Sequence, residues 1–287
     1  MSYAIIDIGS NSVRLMLWAD GKTLYKRLET TRLGASLQRT NRLSDEAMAA
    51  TVRAVCSFCA EGRAAGAEVF AFATAAVRTA SNGGALCRAI EETCGLRVDV
   101  VSGMLEAALG AAGALAGSDG GIIDIGGAST EVLFRSAGET NFSVSLNVGA
   151  VRLYDSCRDQ INLLDEKIDE ALFALDGCVP NGTLYAIGGT ASTLACIERS
   201  AQYSSEMSGT RLTVGYVHKI ASDMLDMTAE ERKKISGMEE KRADIIAGGA
   251  YLLAKIMEKL GLDAVVFSDA DNLEGYLRMK IIGVEKK

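Results

Sequence analysis

The stretch Ile5-Ile6-Asp7-Ile8-Gly9 recurs about one domain length later as Ile122-Ile123-Asp124-Ile125-Gly126. Each copy ends an apolar run on a carboxylate, with a glycine two residues on. A small polar loop follows: Ser10-Asn11-Ser12 in the first copy, Gly127-Ala128-Ser129-Thr130 in the second. Glycine there permits a tight turn or a close backbone approach to a ligand. One copy alone reads better as an ordinary hairpin; the two copies together favour a ligand site. A third loop, Gly188-Gly189-Thr190, follows the apolar run Thr183–Ile187 and opens a helical stretch. Exposed N–H groups and the positive end of a helix dipole make such a loop a cradle for an anion, phosphate above all. Taken alone it is also a plain strand-to-helix connection.

Those loops need strands to hold them. Apolar runs predict strands ending at Asp7 and Asp124, second strands over Val13–Trp18 and Glu131–Phe134, and further strands over Val69–Ala73, Val98–Val101, Thr183–Ile187 and Val265–Phe267. Helical periodicity covers Ser44–Gly62, Ala85–Cys94, Leu105–Leu115, Leu163–Leu175, Val217–Leu225, Ala229–Ile235, Ala243–Leu260 and Leu273–Ile281. Strands alternating with helices imply α/β layers. The internal repeat implies a duplicated domain. A glycine-rich stretch ending near Gly117 sets the expected boundary: residues 1–117, then 118–287, with the last helix free to pack back on the first domain.

Lys and Arg number 30 against 37 Asp and Glu, a net charge of −7. That disfavours DNA or RNA, whose sequence-independent binding rests on a positive field. It does not disfavour a small anion, which local Arg and backbone N–H groups can hold. Seven cysteines, odd in number and without zinc spacing, suggest a reducing compartment. Cys56-x-x-Cys59 reads as two small residues on a helix. His218 is the only histidine, so no histidine relay is to be expected. The start lacks the basic region of a signal peptide, and no run is long and apolar enough to span a membrane. A cytoplasmic protein is expected.

Asp7 to Leu15 resembles the first signature of the exopolyphosphatase / guanosine pentaphosphate phosphatase (Ppx/GppA) family. Further segments agree in order: Ala73–Asn82, Ser102–Ala107, Asp124–Glu131, Gly149–Leu153 and Ile187–Leu194. The resemblance implies two ribonuclease-H-like domains of the actin-like ATPase superfamily, with mixed sheets and a cleft between. It also implies a hydrolase that releases terminal phosphate from short-chain inorganic polyphosphate or guanosine pentaphosphate. Glu106 falls on the family's general-base position. Arg78 falls on a phosphate-binding one, with Arg14 and Arg152 as weaker candidates. Gly9, Ser10, Asn11, Ser12, Gly126, Gly127, Ala128, Ser129, Gly188, Gly189 and Thr190 would cradle phosphate. Asp7 and Asp124, facing one another across the cleft, could hold a hydrated Mg²⁺, which keeps several waters and needs few protein ligands. Without the motif, Asp7 and Asp124 could merely cap turns and Glu106 could lie on a solvated face.

Leu105, Ala128, Asp271 and Leu273 depart from the family pattern. Ala128 adds a methyl where glycine is usual. Asp271 and Leu273 replace a glycine and an arginine, which removes a cation and adds an anion near a polyanion site. Two rival functions remain: a kinase or ATPase of the same superfamily, and a phosphate or nucleotide sensor without turnover. The expected partner is polyphosphate or a phosphorylated guanosine nucleotide, with no nucleic acid and no membrane. Pairing of two copies is left open.

Overall fold

The computed structural model describes residues 1–283 and contains two sheets. The first sheet comprises β1 (Ser2–Ile8), β2 (Ser12–Ala19), β3 (Lys22–Thr30), β4 (Glu68–Ala73) and β5 (Val98–Val100), in the order β3-β2-β1-β4-β5. The second comprises β6 (Gly120–Ile125), β7 (Thr130–Ser136), β8 (Glu139–Leu146), β9 (Leu184–Ile187), β10 (Arg211–Thr213) and β11 (Ala264–Phe267). Its order is β10-β11-β9-β6-β7-β8. Both sheets are mixed. An antiparallel three-strand meander leads each, and the first strand of the meander pairs in parallel with the next strand, β1 with β4 and β6 with β9. The sequence repeat is therefore a repeat of topology, with β10 as an added edge.

The outer strands β3 and β8 lie outside the sequence expectation, as does the three-residue edge strand β10. The exposed edges of β3 and β8 carry too many polar residues to show as apolar runs. Their turns were visible, however. Asp20-Gly21 and Ala137-Gly138 are two-residue hairpin loops in which all four residues take positive φ, 54°, 82°, 54° and 79°. That is the backbone of the turn that matches strand twist, for which Asp-Gly is a strong signal.

The helix Asp45–Ala64 begins on Ser44, whose hydroxyl accepts from the Ala47 N–H at 3.2 Å, and buries Val55, Phe58 and Cys59 against the first sheet. The helix Ile246–Lys259, whose first turn starts three residues later than periodicity suggests, is buried in the core of the second sheet.

Two segments cross between the halves. The helix Gly103–Ala114 buries Ala107, Ala111 and Leu115 against Ile122, Leu133 and Ile187 of the second half. The chain's last segment runs the other way. The short helix Asn272–Tyr276 and a π-helical turn over Leu277–Ile282 bury Leu273, Tyr276, Leu277 and Ile281 against Tyr3, Ile5, Met16 and Phe72 of the first sheet. Phe72 and Tyr276 stack with ring centroids 4.8 Å apart. Leu273, where the family pattern has arginine, is a core residue here.

The two crossing segments meet backbone to backbone. A Cβ at Gly113 would lie 1.9 Å from the Asp271 carbonyl oxygen, and one at Gly275 would lie 1.8 Å from that of Leu109. Only glycine fits, because any side chain must push two rigid elements apart. Overpacking of this kind costs about 1–3 kcal/mol or more. Gly275→Ala is expected to lower the urea midpoint by at least that equivalent. The control Gly84→Ala, on an exposed helix face with its nearest neighbour 3.6 Å away, should hold or raise stability by up to ~1 kcal/mol. Equal effects of the two substitutions would contradict a tight crossing.

Candidate active site

The ends of β1 and β6 and the crossing segments open onto one cavity of about 330 Å³ between the halves. The two meander turns are built alike. Gly9 N–H donates to the Ser12 carbonyl at 3.0 Å, and Gly126 N–H donates to that of Ser129 at 3.0 Å. The turns also touch: a Cβ on Gly127 would lie 2.8 Å from that of Ser10. Ser10, Asn11, Ser12, Ala128 and Ser129 are buried, and the Asn11 side-chain amide nitrogen has no partner. Ala128 does not take a positive φ, so the alanine imposes no backbone strain.

The third loop closes the same cavity. Gly188 has φ 79°, and a Cβ there would sit 2.4 Å from Asp124 Oδ1. Glycine is required on both grounds. Gly189 is covered by the guanidinium of Arg242, and a Cβ would lie 2.1 Å from its Nη1. Arg242 is buried and donates through Nε to Glu239 at 2.7 Å. Thr190 is buried at the same end.

Asp7 and Asp124 are both buried at this cavity. In register Asp7 faces Arg14, and Asp124 faces Glu131. Equivalent positions of the repeat thus carry opposite charge. Arg14 donates through Nε to Asp7 Oδ2 at 3.0 Å and through Nη1 to Asp271. Asp7 Oδ1 has no partner. Burial raises the Asp7 pKa despite Arg14. Asp124 Oδ2 accepts from the Asn272 side chain at 2.8 Å, yet burial pushes its pKa up to about 6, with Arg14 opposing and Asp271 adding to the rise. Glu131 accepts from Ser145 Oγ at 2.6 Å. Burial, then the charges of Glu106 and Asp124, push its pKa well above the ordinary range.

Glu106 lies in the first turn of the helix Gly103–Ala114, which Ser102 caps by accepting from the Leu105 N–H at 3.2 Å. Its position in sequence suggested a solvated face; the second half buries it instead. Burial raises its pKa to about 7, Arg78 opposes the rise, and Asp124 and Asp7 add to it. Arg78 donates from Nη1 to Glu106 Oε2 at 2.9 Å and to the Val101 carbonyl at 2.8 Å. It stands behind Glu106 and does not line the cavity. Arg152 donates to the Ala128 carbonyl at 2.8 Å and to Gln38. Its place is beneath the second loop. His218 lies well away from the cavity, 2.6 Å from Glu258 Oε1. Among the described residues no helix is long and apolar enough to cross a membrane.

Several residues at the cavity carry no sequence signal, Lys26, Arg242 and Asn272 among them. Lys26 sits on the unrecognised strand β3 and lies 2.9 Å from Glu274 and 3.2 Å from Asp269. In the sequence Arg242 falls between two expected helices, and Asn272 falls only in the altered loop.

Residues 18–281 match the sequence profile of the Ppx/GppA phosphatase family. The chain belongs to that family. Exopolyphosphatase 2 of Mycobacterium tuberculosis is 28% identical to it, over 95% of this chain and 96% of that one. The bifunctional 3-dehydroquinate synthase/phosphatase of Fusobacterium nucleatum is 27% identical over 99% of this chain, which spans 47% of that protein's length. The crystal structure of the Aquifex aeolicus Ppx/GppA family member superposes with a TM-score of 0.80 at 28% identity, covering 99% of this chain and 98% of that one. The fold is accordingly that of the Ppx/GppA family, with two mixed α/β sheets and a cavity between them.

The raised carboxyl pKa values make stability depend on pH with a definite sign. Between the ordinary Glu value and about 7, the folded chain keeps the Glu106 proton that the unfolded chain has released. Stability from this residue therefore falls as pH rises through that window. Glu106→Gln mimics the protonated form. Relative to the native protein it should gain little stability near about pH 5 and up to ~3 kcal/mol near about pH 8. A gap that does not grow with pH in thermal melts would contradict the assignment.

Proposed function

We propose that this family member is a phosphoanhydride hydrolase that releases the terminal phosphate of short-chain inorganic polyphosphate or guanosine pentaphosphate. One observation carries the reading. Glu106, with its pKa pushed up to about 7, is buried beside Asp7 and Asp124 at a cleft lined by three glycine loops. A carboxylate poised near neutrality can orient water and accept its proton, and general bases work best near their operating pH. Phosphoryl transfer otherwise needs positioning and charge stabilisation, which backbone N–H groups at glycine loops can supply.

The terminal phosphoryl group would sit between the loops at 9–12, 126–129 and 188–190. Water held by Glu106 would attack its phosphorus in line with the anhydride oxygen. The P–O bond to that oxygen breaks, Glu106 takes the water proton, and the electron pair leaves with the shortened substrate. Arg78 keeps Glu106 aimed from behind, and burial disfavours negative charge on Glu131.

The residues also fit a strongly hydrated divalent cation. Asp7 presents an oxygen with no partner, and Asp124 is a buried carboxylate of raised pKa. Among the described residues no group of three or more His, Cys, Asp or Glu side chains is arranged to hold an ion. Asp7 and Asp124 alone would hold Mg²⁺, with waters and phosphate oxygens completing its shell. Bound there, Mg²⁺ would neutralise charge on the phosphates. Arg14, already shared with Asp7 and Asp271, supplies fixed positive charge to the same wall.

The test is phosphate release from tripolyphosphate, longer polyphosphate, guanosine pentaphosphate and ATP, with Mg²⁺ and with EDTA. Release should require the metal and fall by about a hundredfold or more in Glu106→Ala. Because the base must be ionised, kcat/KM should rise with pH through about 7, and Glu106→Gln should abolish that limb. No release from any of the four substrates would sink the reading in favour of a binding protein.

A further inference from the structure

The cations that line the cavity are Arg14, Lys26, Arg27 and Arg242. Each already has a carboxylate partner. Arg242 Nε lies 2.7 Å from Glu239 Oε2, and Arg27 Nε lies 2.8 Å from Glu61 Oε1. Lys26 is held by Glu274 and Asp269, and Arg14 by Asp7 and Asp271. The segment 269–274 thus occupies Arg14 and Lys26, two of the three cations that β2 and β3 present to the cavity.

Asp271 is itself fixed. Its Oδ1 accepts from the Leu273 N–H at 3.0 Å, its own N–H donates to Glu274 Oε2 at 3.0 Å, and Oδ2 receives Arg14. Arg14 cannot turn to a phosphate without leaving a buried carboxylate unpaired, which is strongly unfavourable. A long polyphosphate carries about one negative charge per unit and gains affinity from a succession of available cations. Arg14 and Lys26, the cations of the cavity wall nearest the 269–274 segment, are held away from such a chain by carboxylates.

We propose that Asp271 is a specificity-determining residue that sequesters Arg14 and restricts the site to short phosphoanhydrides of two or three phosphates. This rests on the hydrolase reading and goes beyond it by assigning the chain-length limit to one ion pair. The glycine loops hold the reacting phosphate through N–H groups. The sequestered guanidinium is the counter-charge that a trailing polyanion would then lack at this wall.

The experiment compares tripolyphosphate with polyphosphate of several tens of units in the native protein, in Asp271→Asn, and in Asp271→Asn combined with Arg14→Gln. Asparagine keeps the helix-capping oxygen and removes the charge. The native protein should favour tripolyphosphate at least tenfold in kcat/KM per chain. Asp271→Asn should lower KM for the long chain at least fivefold, in a salt-dependent way, with a much smaller change for tripolyphosphate. The double variant should return the long-chain KM to its native value, which a merely structural role of Asp271 would not produce. A native preference for long chains, or a long-chain KM that Asp271→Asn leaves unchanged, overturns the inference and leaves the hydrolase reading intact. If no variant releases phosphate, the hydrolase reading fails. Calorimetric binding of the two chain lengths then decides: selective tightening of the long chain in Asp271→Asn supports the role, and equal or absent tightening refutes it.

Discussion

The crossing of the helix Gly103–Ala114 with the segment that begins at Asn272 is the constraint on which the rest depends. At Gly113 and Gly275 no Cβ can exist without meeting a backbone carbonyl closer than 2 Å. Each element is packed on the sheet of the opposite half, so the contact joins the halves by backbone shape. It also sets the chemistry. Glu106 leads one element, Asp271 and Asn272 lead the other, and the crossing brings all three to the ends of β1 and β6. Packing density makes such an arrangement stiff.

Burial then does what sequence position alone could not. Five carboxylates converge here: Asp7, Glu106, Asp124, Glu131 and Asp271. Desolvation opposes charge on every one, and their neighbours sort them. Arg14 and Lys26 outweigh the desolvation of Asp271 and hold its pKa below the usual carboxylate range. Asp124 and Glu106 are pushed to about 6 and about 7. Glu131, with serine hydroxyls as partners and the charges of Glu106 and Asp124 nearby, has its pKa raised well above the ordinary range. The proposed phosphate site tolerates so many acids because Arg14 lies among them and the ligand would meet N–H groups first.

Much of this was legible in the sequence, for local reasons. The two Ile-Ile-Asp-Ile-Gly copies mark the two sheets because buried strands followed by glycine turns are written in neighbouring residues. Gly188-Gly189-Thr190 reads as a strand-to-helix loop for the same reason. Glu106 was found through its motif, while its burial depends on β7 and β8 of the other half. Strands β3 and β8 were missed because edge strands need no apolar run, although Asp20-Gly21 announced one turn. Lys26 was lost with β3. Arg242 was lost because only tertiary folding sets it over Gly189. Asp271 appeared from sequence as an uncompensated anion; its partner Arg14 is 257 positions away, and the pairing is a property of the fold.

The most direct test of water activation at this crossing is a single turnover in ¹⁸O-labelled water with tripolyphosphate as substrate. Attack by a water held at Glu106 on the terminal phosphorus predicts one ¹⁸O in each released orthophosphate, none in the remaining diphosphate, and loss of both release and labelling in Glu106→Gln. Label in the diphosphate, or a phosphorylated aspartate trapped on the protein before release, would contradict it.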